Sequence, residues 1–510
     1  MSKTDTKFVS LKQAIAKIKT GATISTCGFV GIGTPEFLLH GLEQRFLETG
    51  TPTDIDLVFA AGQGDGQSQG LNRIAHRKLL RRVVGGHWAL TPKLGELALN
   101  GDIEAYNLPQ GCLSQLLRDT AAGKPGTFSK VGLHTFVDPR IDGGKINENC
   151  SEDLVSIVSL NGEEWLFYKA IPIDVAFIRG SYADERGNIS LKREALTLDN
   201  LSIAMAAKNS GGIVIAQVEG KAPSGILNSR EVKVPGAFVD YIVEAPVEYH
   251  QQTYATSYSP LFSGETRTTY SEPKNPETGI RKIIAARAAM ELPASGVINL
   301  GIGMPEGIAN IARKNGKLET LTLTTEAGSV GGIPQSGLDF GASINADTIL
   351  DQSQQFDFYD GGGLNMACLG MAEVDQQGNV NVSRFGSKLA GCGGFINISQ
   401  NSKKVVFVGT FTAGGLEVKF NNGKLKILKE GRSHKFVPSV SQITFSGRYS
   451  QEMDQEIIYI TERCVFKMTE NGLELTEIAP GLDIQADIID HMGFAPIIQS
   501  PKQMDIKVFE

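Results

Sequence analysis

The segment that decides the fold reads Leu321-Thr322-Leu323-Thr324-Thr325-Glu326-Ala327-Gly328-Ser329-Val330-Gly331-Gly332. Its apolar, Thr-rich first part predicts a strand, and the glycines after Glu326 predict a tight turn. A carboxylate in this position stands at the carboxyl end of a strand, where ligands of open α/β sheets bind. Glu326 is therefore the first candidate for a reactive group, as a base, a metal ligand or a nucleophile. No Asp or His cluster accompanies it in the sequence, so no metal site is predicted.

A second copy of this plan precedes the first along the chain. Four pairs of segments match in the same order: 31–36 with 301–306, 57–62 with 323–328, 184–189 with 375–380, and 209–214 with 401–406. Ala60 stands where the second copy has Glu326, so one copy alone carries the reactive side chain. Shared turn chemistry without duplication is the alternative, and the common order of the matches disfavours it.

Strands alternate with helices in both copies. This pattern predicts an α/β protein of two similar open domains with mainly parallel sheets, related by internal duplication. Residues 251–278 are rich in Ser, Thr, Tyr and Pro without a clear period, which predicts an extended linker. The expected domains are residues 1–250, the linker 251–278, and residues 279–510, which carry Glu326. Helices are predicted over 37–45, 280–292 and 307–313, and a strand is predicted over 395–398.

Composition excludes several classes of protein. The chain has 510 residues, of which 41% are apolar and 21% charged, as in ordinary globular proteins. Its net charge of -7 gives no general attraction to nucleic acid or to anionic membranes. The sequence has no apolar run of membrane-spanning length and no signal-peptide core, so a cytoplasmic location is the simplest expectation. The six cysteines include no Cys-x-x-Cys pair, which argues against a zinc site and a disulfide framework.

Two glycine-rich stretches are further candidates for ligand binding. Gly361-Gly362-Gly363 lacks side chains, so its backbone could lie against a ligand or form a loose bend. Gly391-Cys392-Gly393-Gly394 could direct backbone N–H groups at a developing oxyanion, or it could simply turn the chain before a strand. These alternatives stay open from the residues alone. Cys392 is a weak candidate nucleophile, because no His lies near it in the sequence.

The first copy offers fewer candidates. The amide of Gln110, in Tyr106-Asn107-Leu108-Pro109-Gln110-Gly111, suits a carboxylate or amide ligand, although a plain turn explains this segment on spacing alone. His87, beside Trp88, is predicted to be packed or to support other residues. The glycine spacing over residues 28–33 is not that of a dinucleotide site, and no P-loop is present, so NAD and ATP find no support.

Taken together, the residues resemble family I CoA-transferases of the single-chain acetate/propionate type, in which the two subunits of heteromeric relatives are fused. The resemblance covers about residues 12–505, and its main segments are 106–111, 325–332, 355–363, 391–396 and 478–481. It implies that Glu326 is a covalent nucleophile and that Gly393 and Gly394 lie near the oxyanion and the CoA thioester. It also makes Gly361, Gly362 and Gly363 candidates for contacting CoA. Gln110 is similar to a position that faces the acyl site, with the loop around Gly31 opposite.

Two departures from this family concern the substrate. Succinyl-CoA:3-ketoacid relatives have Gly-Gly-Ala-Met-Asp where this chain has Gly393-Gly394-Phe395-Ile396-Asn397, and Asn365 stands where close relatives often carry Asp. Neither departure touches Glu326. The preferred acids therefore stay open, because one methylene changes selectivity by only about 1–3 kcal/mol.

The resemblance implies reversible transfer of CoA between a short-chain acyl-CoA and a free carboxylate, by a ping-pong route through a glutamyl-CoA thioester. CoA is then a substrate, and no metal or other cofactor is expected; the implied assembly is a homotetramer or dimer. One alternative is a citrate-lyase-type acyl-carrier transferase subunit, which the fused halves disfavour. A second is a non-catalytic ligand sensor, for which the sequence offers no appended DNA-binding helix-turn-helix.

Overall fold

Two large β-sheets, one from each half of the chain, form the framework. The computed structural model describes residues 7–269, 278–301 and 303–509. Within these ranges the first sheet has nine strands: β1 (Thr23–Thr26), β2 (Ile55–Phe59), β3 (Leu80–Gly85), β4 (Glu104–Asn107), β5 (Val175–Asp184), β6 (Ile189–Ser190), β7 (Ile213–Ala222), β8 (Val232–Val234) and β9 (Tyr241–Glu244). The second has ten: β10 (Gly296–Leu300), β11 (Leu321–Thr324), β12 (Ser329–Val330), β13 (Thr348–Ile349), β14 (Met366–Gly370), β15 (Lys404–Val408), β16 (Glu456–Ile460), β17 (Cys464–Thr469), β18 (Gly472–Ile478) and β19 (Lys502–Gln503).

The central strands of both sheets are parallel and follow one order. In the first sheet the order is β9-β7-β5-β1-β2-β3-β4, and every neighbouring pair is parallel. In the second, the parallel part is β16-β15-β14-β10-β11. Matching β1 with β10, β2 with β11, β5 with β14, β7 with β15 and β9 with β16 superposes the two orders. The predicted α/β class with mainly parallel sheets is confirmed, and the shared order is the one expected of a duplicated fold.

Helices connect and cover the sheets. They are α1 (Leu11–Ile15), α2 (Glu36–Thr49), α3 (Pro92–Leu99), α4 (Gln110–Ala121), α5 (Asn200–Asn209), α6 (Gly279–Ala289), α7 (Glu306–Lys314), α8 (Gln352–Asp360), α9 (Phe395–Asn401), α10 (Gly447–Glu452) and α11 (Ile484–Asp487). The predicted helices over 37–45, 280–292 and 307–313 correspond to α2, α6 and α7. None of the helices in the described ranges is long and apolar enough to cross a membrane.

Several smaller sheets accompany the two large ones. A three-stranded sheet joins Gly126–Ser129, Glu163–Lys169 and Val155–Leu160. Five two-stranded pairs lie among the described residues of the second half: Ile333–Pro334 with Ser343–Ile344, Glu373–Val374 with Val380–Asn381, Arg384–Phe385 with Lys388–Leu389, Thr412–Ala413 with Ser433–His434, and Glu417–Asn421 with Lys424–Lys429. In the last pair, Asn422 and Gly423 have φ of 52° and 72°. Positive φ at both positions is what a two-residue hairpin turn requires.

The repeated Asp-x-x-Gly-Asn turn has the same hydrogen bonds in both copies. The carboxylate of Asp184 accepts from the backbone N–H and the side chain of Asn188, at 2.9 and 2.8 Å. Asp375 binds Asn379 in the same way, at 3.1 and 3.0 Å. The glycine between them has positive φ in each copy. The sequence match between the halves therefore corresponds to a match in local structure.

One predicted element is wrong. Residues 395–398 belong to helix α9 and not to a strand. The run Phe395-Ile396-Asn397-Ile398 is buried on every side, so it shows no 3.6-residue polar period. A short, wholly buried apolar run does not distinguish a helix from a strand by its pattern. The glycine loop at 391–394 consequently leads directly into a helix.

The segment after the first sheet packs against the first half. Gln252 and Thr253 are buried, and the Tyr254 hydroxyl donates to the Glu36 carboxylate at 2.9 Å. Of the predicted linker 251–278, residues 270–277 lie outside the described residues. The two large sheets fall on either side of this segment, and the domain boundaries stay a prediction.

Candidate active site

Glu326 projects from a tight turn at the carboxyl end of β11. The chain reverses after Thr325, whose hydroxyl lies 2.8 Å from that of Ser329, and it returns as β12. Gly328 has φ of 121°, and a methyl group there would lie 2.2 Å from the carbonyl oxygen of Leu350. Only glycine fits this turn, because other residues would be strained and would clash. The turn predicted from the sequence thus holds Glu326 at the edge of the sheet.

Glu326 lines a cavity of about 200 Å³ between the two halves. The first half contributes Phe29, Val30, Gly62, His87, Leu90 and Gln110. The second half contributes Asn299, Gly301, Glu326, Leu369, Gly370, Val382, Cys392, Gly393, Gly394, Phe395 and Ile398. Glu326, Gly393, Gly394 and Gln110, singled out from the sequence as site residues, and Cys392, the weak candidate nucleophile, are all among them, so the structure brings these five together.

The glycine loop 391–394 is held against the first half by backbone hydrogen bonds. The N–H of Cys392 donates to the Asn107 side chain at 2.9 Å, and the N–H of Gly393 donates to the Gly86 carbonyl at 2.8 Å. The N–H of Gly394, in contrast, donates to no acceptor among the described residues. Of the two glycine N–H groups predicted as oxyanion donors, the one of Gly394 is therefore free to bind a substrate oxygen, and the one of Gly393 is not.

Gly394 also lies directly beside Glu326. A methyl group at position 394 would be 3.3 Å from the Cγ of Glu326 and 3.2 Å from the ring of Phe356. Any side chain at position 394 would therefore crowd Glu326 and Phe356. Glu326 and Gly394, whose N–H is unoccupied, thus lie side by side at the cavity.

Burial changes the protonation of Glu326. Removal from water raises its pKa to about 7, and the Asn299 amide and the backbone N–H of Glu326 lower it in part. The Asn299 amide nitrogen donates to the Thr324 carbonyl at 3.2 Å and lies 3.3 Å from the Tyr359 hydroxyl. A carboxylate that water stabilises poorly is a better nucleophile than one at the surface.

His87 and Cys392 line the same cavity but have no activating partners. Burial lowers the pKa of His87 to about 4, so its imidazole is neutral at neutral pH. Its Nδ1 is buried and has no hydrogen-bond partner among the described residues. Burial raises the pKa of the Cys392 thiol far above its usual range, which keeps it protonated. Cys392 therefore lacks the thiolate that a nucleophile needs.

The remaining predicted site residues do not line the cavity. Gly361, Gly362 and Gly363 end helix α8, and their N–H groups donate to the carbonyls of Asp357, Tyr359 and Phe358. Gly31 lies against Tyr254, whose ring would be 2.6 Å from a methyl group at position 31. Its neighbour Val30 does line the cavity. The roles predicted for these four glycines stay predictions.

Several residues of the site were not found from the sequence. Asn299 interrupts the apolar strand β10 and is fully buried, and a polar residue inside such a run was the available signal. Gln352 and Asp199 join Gln110 through hydrogen bonds of 3.0 and 2.6 Å, but they lie far apart in the sequence. The described residues contain no group of three His, Cys, Asp or Glu able to hold a metal ion.

Comparison with known proteins shows which family this chain belongs to. The sequence profile described as Coenzyme A transferase matches residues 8–245. The chain is 44% identical to a caffeate CoA-transferase of Acetobacterium woodii, over 99% of this chain and 97% of that protein. It is 42% identical to the acetate CoA-transferase YdiF of Escherichia coli (strain K12), over 98% and 94% of the two chains. The protein belongs to the CoA-transferase family.

A solved structure agrees at the level of the whole chain. The crystal structure of the acyl-CoA transferase YdiF from E. coli O157:H7, as a thioester complex with CoA, superposes with a TM-score of 0.93. The two sequences are 40% identical, and the match covers 99% of this chain and 96% of that one. The protein is accordingly a CoA-transferase, which moves CoA reversibly between an acyl-CoA and a carboxylate.

Proposed function

We propose that the transfer runs through a covalent glutamyl-CoA thioester on Glu326. The observation that carries this proposal is the position of the half-buried Glu326 carboxyl in the cavity between the halves, beside Gly394, whose N–H is unoccupied. The similar YdiF structure is described as a thioester complex with CoA, which agrees with this route.

The first half-reaction has two steps. A Glu326 oxygen attacks the acyl carbonyl carbon and the carbon–sulfur bond breaks. The CoA thiolate departs, and an acyl-glutamyl anhydride is formed on the enzyme. The thiolate sulfur then attacks the Glu326 carbonyl carbon, the carbon–oxygen bond of the anhydride breaks, and the first carboxylate departs. A second carboxylate reverses both steps and leaves as its own CoA ester. Each bond that breaks is replaced by one that forms, so the route needs no ATP or metal.

Each tetrahedral step places negative charge on a carbonyl oxygen. The N–H of Gly394 is proposed to receive that charge, because it is unoccupied and adjacent to Glu326. Loss of one such donor typically lowers the rate by about 10²–10³-fold. Gly393 contributes by holding this loop to the first half through its bond to Gly86.

The acyl end of the cavity is proposed to accept short, largely apolar chains. Phe29, Val30 and Leu90 form its walls on the first half, with Gln110 as the polar group. A volume of about 200 Å³ suits a small acyl group. The named relatives act on acetate and on caffeate, so the preferred acid of this chain is a matter for a substrate panel. A homodimer or homotetramer is the proposed assembly.

Exchange of CoA between acetyl-CoA and propionate tests this function. The wild-type protein should form propionyl-CoA with ping-pong kinetics, because the two acids bind in turn. Glu326→Gln should form none. Glu319→Gln is the matched control, since Glu319 is an exposed glutamate of the same half. Sequential kinetics, or equal activity in Glu326→Gln, would refute the covalent route.

A further inference from the structure

A chain of buried polar side chains leads from the cavity to a carboxyl group that the reaction does not use. The amide nitrogen of Gln110 donates to Gln352 Oε1 at 3.0 Å. The amide nitrogen of Gln352 donates to Asp199 Oδ2 at 2.6 Å. The hydroxyl of Ser114 donates to the other oxygen of Asp199 at 2.5 Å. All four residues are at most 5% exposed.

Helices from both halves hold these four hydrogen-bonded side chains in place. Gln110 and Ser114 lie one turn apart on helix α4, and Asp199 directly precedes helix α5. Gln352 is the first residue of α8, from the second half, and its backbone N–H donates to the Leu198 carbonyl at 3.3 Å. The chain of hydrogen bonds therefore crosses from one half to the other just behind the cavity.

The carboxylate at the end of the chain sets the direction of every bond. An ionised carboxylate only accepts hydrogen bonds, so Gln352 must turn its NH₂ toward Asp199 and its oxygen toward Gln110. Gln110 must then turn its own nitrogen toward Gln352. Its remaining oxygen lies toward the cavity, 3.6 Å from a methyl group placed at Gly393, and accepts no hydrogen bond from the described residues.

We propose that Asp199 is a positioning residue that, through Gln352, makes Gln110 present a hydrogen-bond acceptor to the acyl group. This inference rests on the proposed function, because it takes the cavity at Gln110 as the acyl site. It assigns a substrate preference: an acyl chain with a hydroxyl group, which can donate to Gln110, is favoured over one with an oxo group at the same carbon, which can only accept. If the acyl chain carries an oxo group, its oxygen and the Gln110 amide oxygen are both acceptors, and each is buried without a hydrogen-bond donor.

The wild-type preference is the first measurement. Burial raises the pKa of the Asp199 carboxyl to about 7. The measurement is made at pH 8, above this pKa, where the carboxyl is ionised. With acetate as the acceptor acid, kcat/KM for 3-hydroxybutyryl-CoA should exceed that for acetoacetyl-CoA by about tenfold, the worth of one hydrogen bond. A wild-type preference for acetoacetyl-CoA would overturn the proposal. Absence of transfer from any acyl-CoA would instead refute the proposed function.

Two variants separate the direction of the hydrogen bonds from simple packing. Gln352→Lys places a group that only donates between Asp199 and Gln110, so the Gln110 oxygen must turn away from the cavity and its NH₂ must face the substrate. This variant should reverse the preference toward acetoacetyl-CoA. Asp199→Asn/Gln352→Glu exchanges the carboxylate and the amide, so that Gln110 still donates to an acceptor. This double variant should keep the wild-type preference.

The result for the pair decides the proposal. Reversal in Gln352→Lys together with retention in the double variant supports it, because both variants replace the buried Gln352 and differ in the direction of the hydrogen bond that they impose on Gln110. An equal change in both, or the wild-type ratio in both, would overturn it. If Gln352→Lys does not fold, the double variant and the wild-type ratio still decide, since loss of the preference in a folded double variant contradicts the assigned direction. Formation of the CoA adduct on Glu326 in each variant verifies that the nucleophile is intact.

Discussion

Glu326 and Gly394 approach each other so closely that a methyl group at position 394 would be 3.3 Å from the Glu326 Cγ. The two residues come from different loops of the second half, one after β11 and one before α9. Both residues line the cavity, and the N–H of Gly394 has no acceptor among the described residues. The proposed route makes this pairing the centre of the chemistry, so substitution of Gly394 tests it.

Gly394→Ala should lower kcat strongly with little loss of stability. The added methyl group would crowd the Glu326 side chain, which the proposed route needs to reach the acyl carbonyl, and we expect a fall of about 100-fold, similar to loss of an oxyanion donor. Steady-state kinetics of acetyl-CoA/propionate exchange measure it. Gly95→Ala is the control, because Gly95 lies in α3 and its nearest atom to an added methyl group is 4.0 Å away. Equal activity of both variants would contradict the role of this space.

The pH dependence of kcat/KM should follow ionisation of Glu326. In the proposed route the carboxylate is the attacking form, and burial raises its pKa to about 7 in the free enzyme. Activity should therefore rise about tenfold per pH unit below pH 7 and level off above it. Asp360 and Asp199, whose pKa values are also raised to about 7, are the control residues. The same rising limb in both Asp360→Asn and Asp199→Asn assigns it to Glu326, and a flat profile from pH 5.5 to pH 8 would exclude the assignment.

Glu326→Gln should be more stable than the wild type at high pH. The folded protein raises the pKa of Glu326 from 4.5 to about 7, so the folded state holds this proton more tightly than the unfolded state. Ionisation then destabilises the folded state progressively between pH 4.5 and 7, and the loss stays constant above pH 7. We expect the variant to gain about 2 kcal/mol at pH 8 and little at pH 5. Denaturant unfolding at both pH values measures the difference, and an equal difference at both would be inconsistent with the raised pKa.

Asn397→Asp should destabilise the protein in a pH-dependent manner. The Asn397 amide donates to both oxygens of Asp360, at 3.0 and 3.2 Å, and its oxygen accepts from the Gly111 N–H. An aspartate there would face Asp360 with a second carboxylate, raising the pKa of the pair further. Stability should therefore fall as pH rises, by about 2 kcal/mol or more at pH 8 and less at pH 5.

The double variant Asp360→Asn/Asn397→Asp is the matched control. It exchanges the amide and the carboxylate, so one donor and one acceptor still meet at this contact between α8 and α9. Thermal unfolding should show recovery of most of the stability lost in the single variant. If the double variant is no more stable than Asn397→Asp, the loss does not arise from the facing carboxylates.

Much of the framework could be predicted from local sequence. The strand before Glu326 and the glycines after it locate the turn, because Gly328 occupies a backbone conformation and a space that only glycine fits. Matching segments in the two copies predict the shared order of parallel strands. The segment 395–398 could not be assigned correctly, since its burial on all sides removes the pattern that distinguishes a helix from a strand.

The partners across the two halves could not be predicted. Asn107 binds Cys392, and Gln110 binds Gln352, at sequence separations of 285 and 242 residues. Nothing in local spacing indicates such pairs, because the packing of the two sheets decides them. The same packing decides that the N–H of Gly393 is occupied by Gly86 while that of Gly394 is not. The loop could be identified from its glycines, but the role of each amide could not.

The most direct measurement is the intact mass of the protein after brief incubation with acetyl-CoA alone. The wild type and Glu319→Gln should gain the mass of one CoA less one water, and peptide mapping should place the addition on Glu326. Borohydride should reduce this thioester and release CoA, and Glu326→Gln should gain no mass. A wild-type protein that transfers CoA without ever carrying this adduct, or that carries it on another residue, would contradict the central claim.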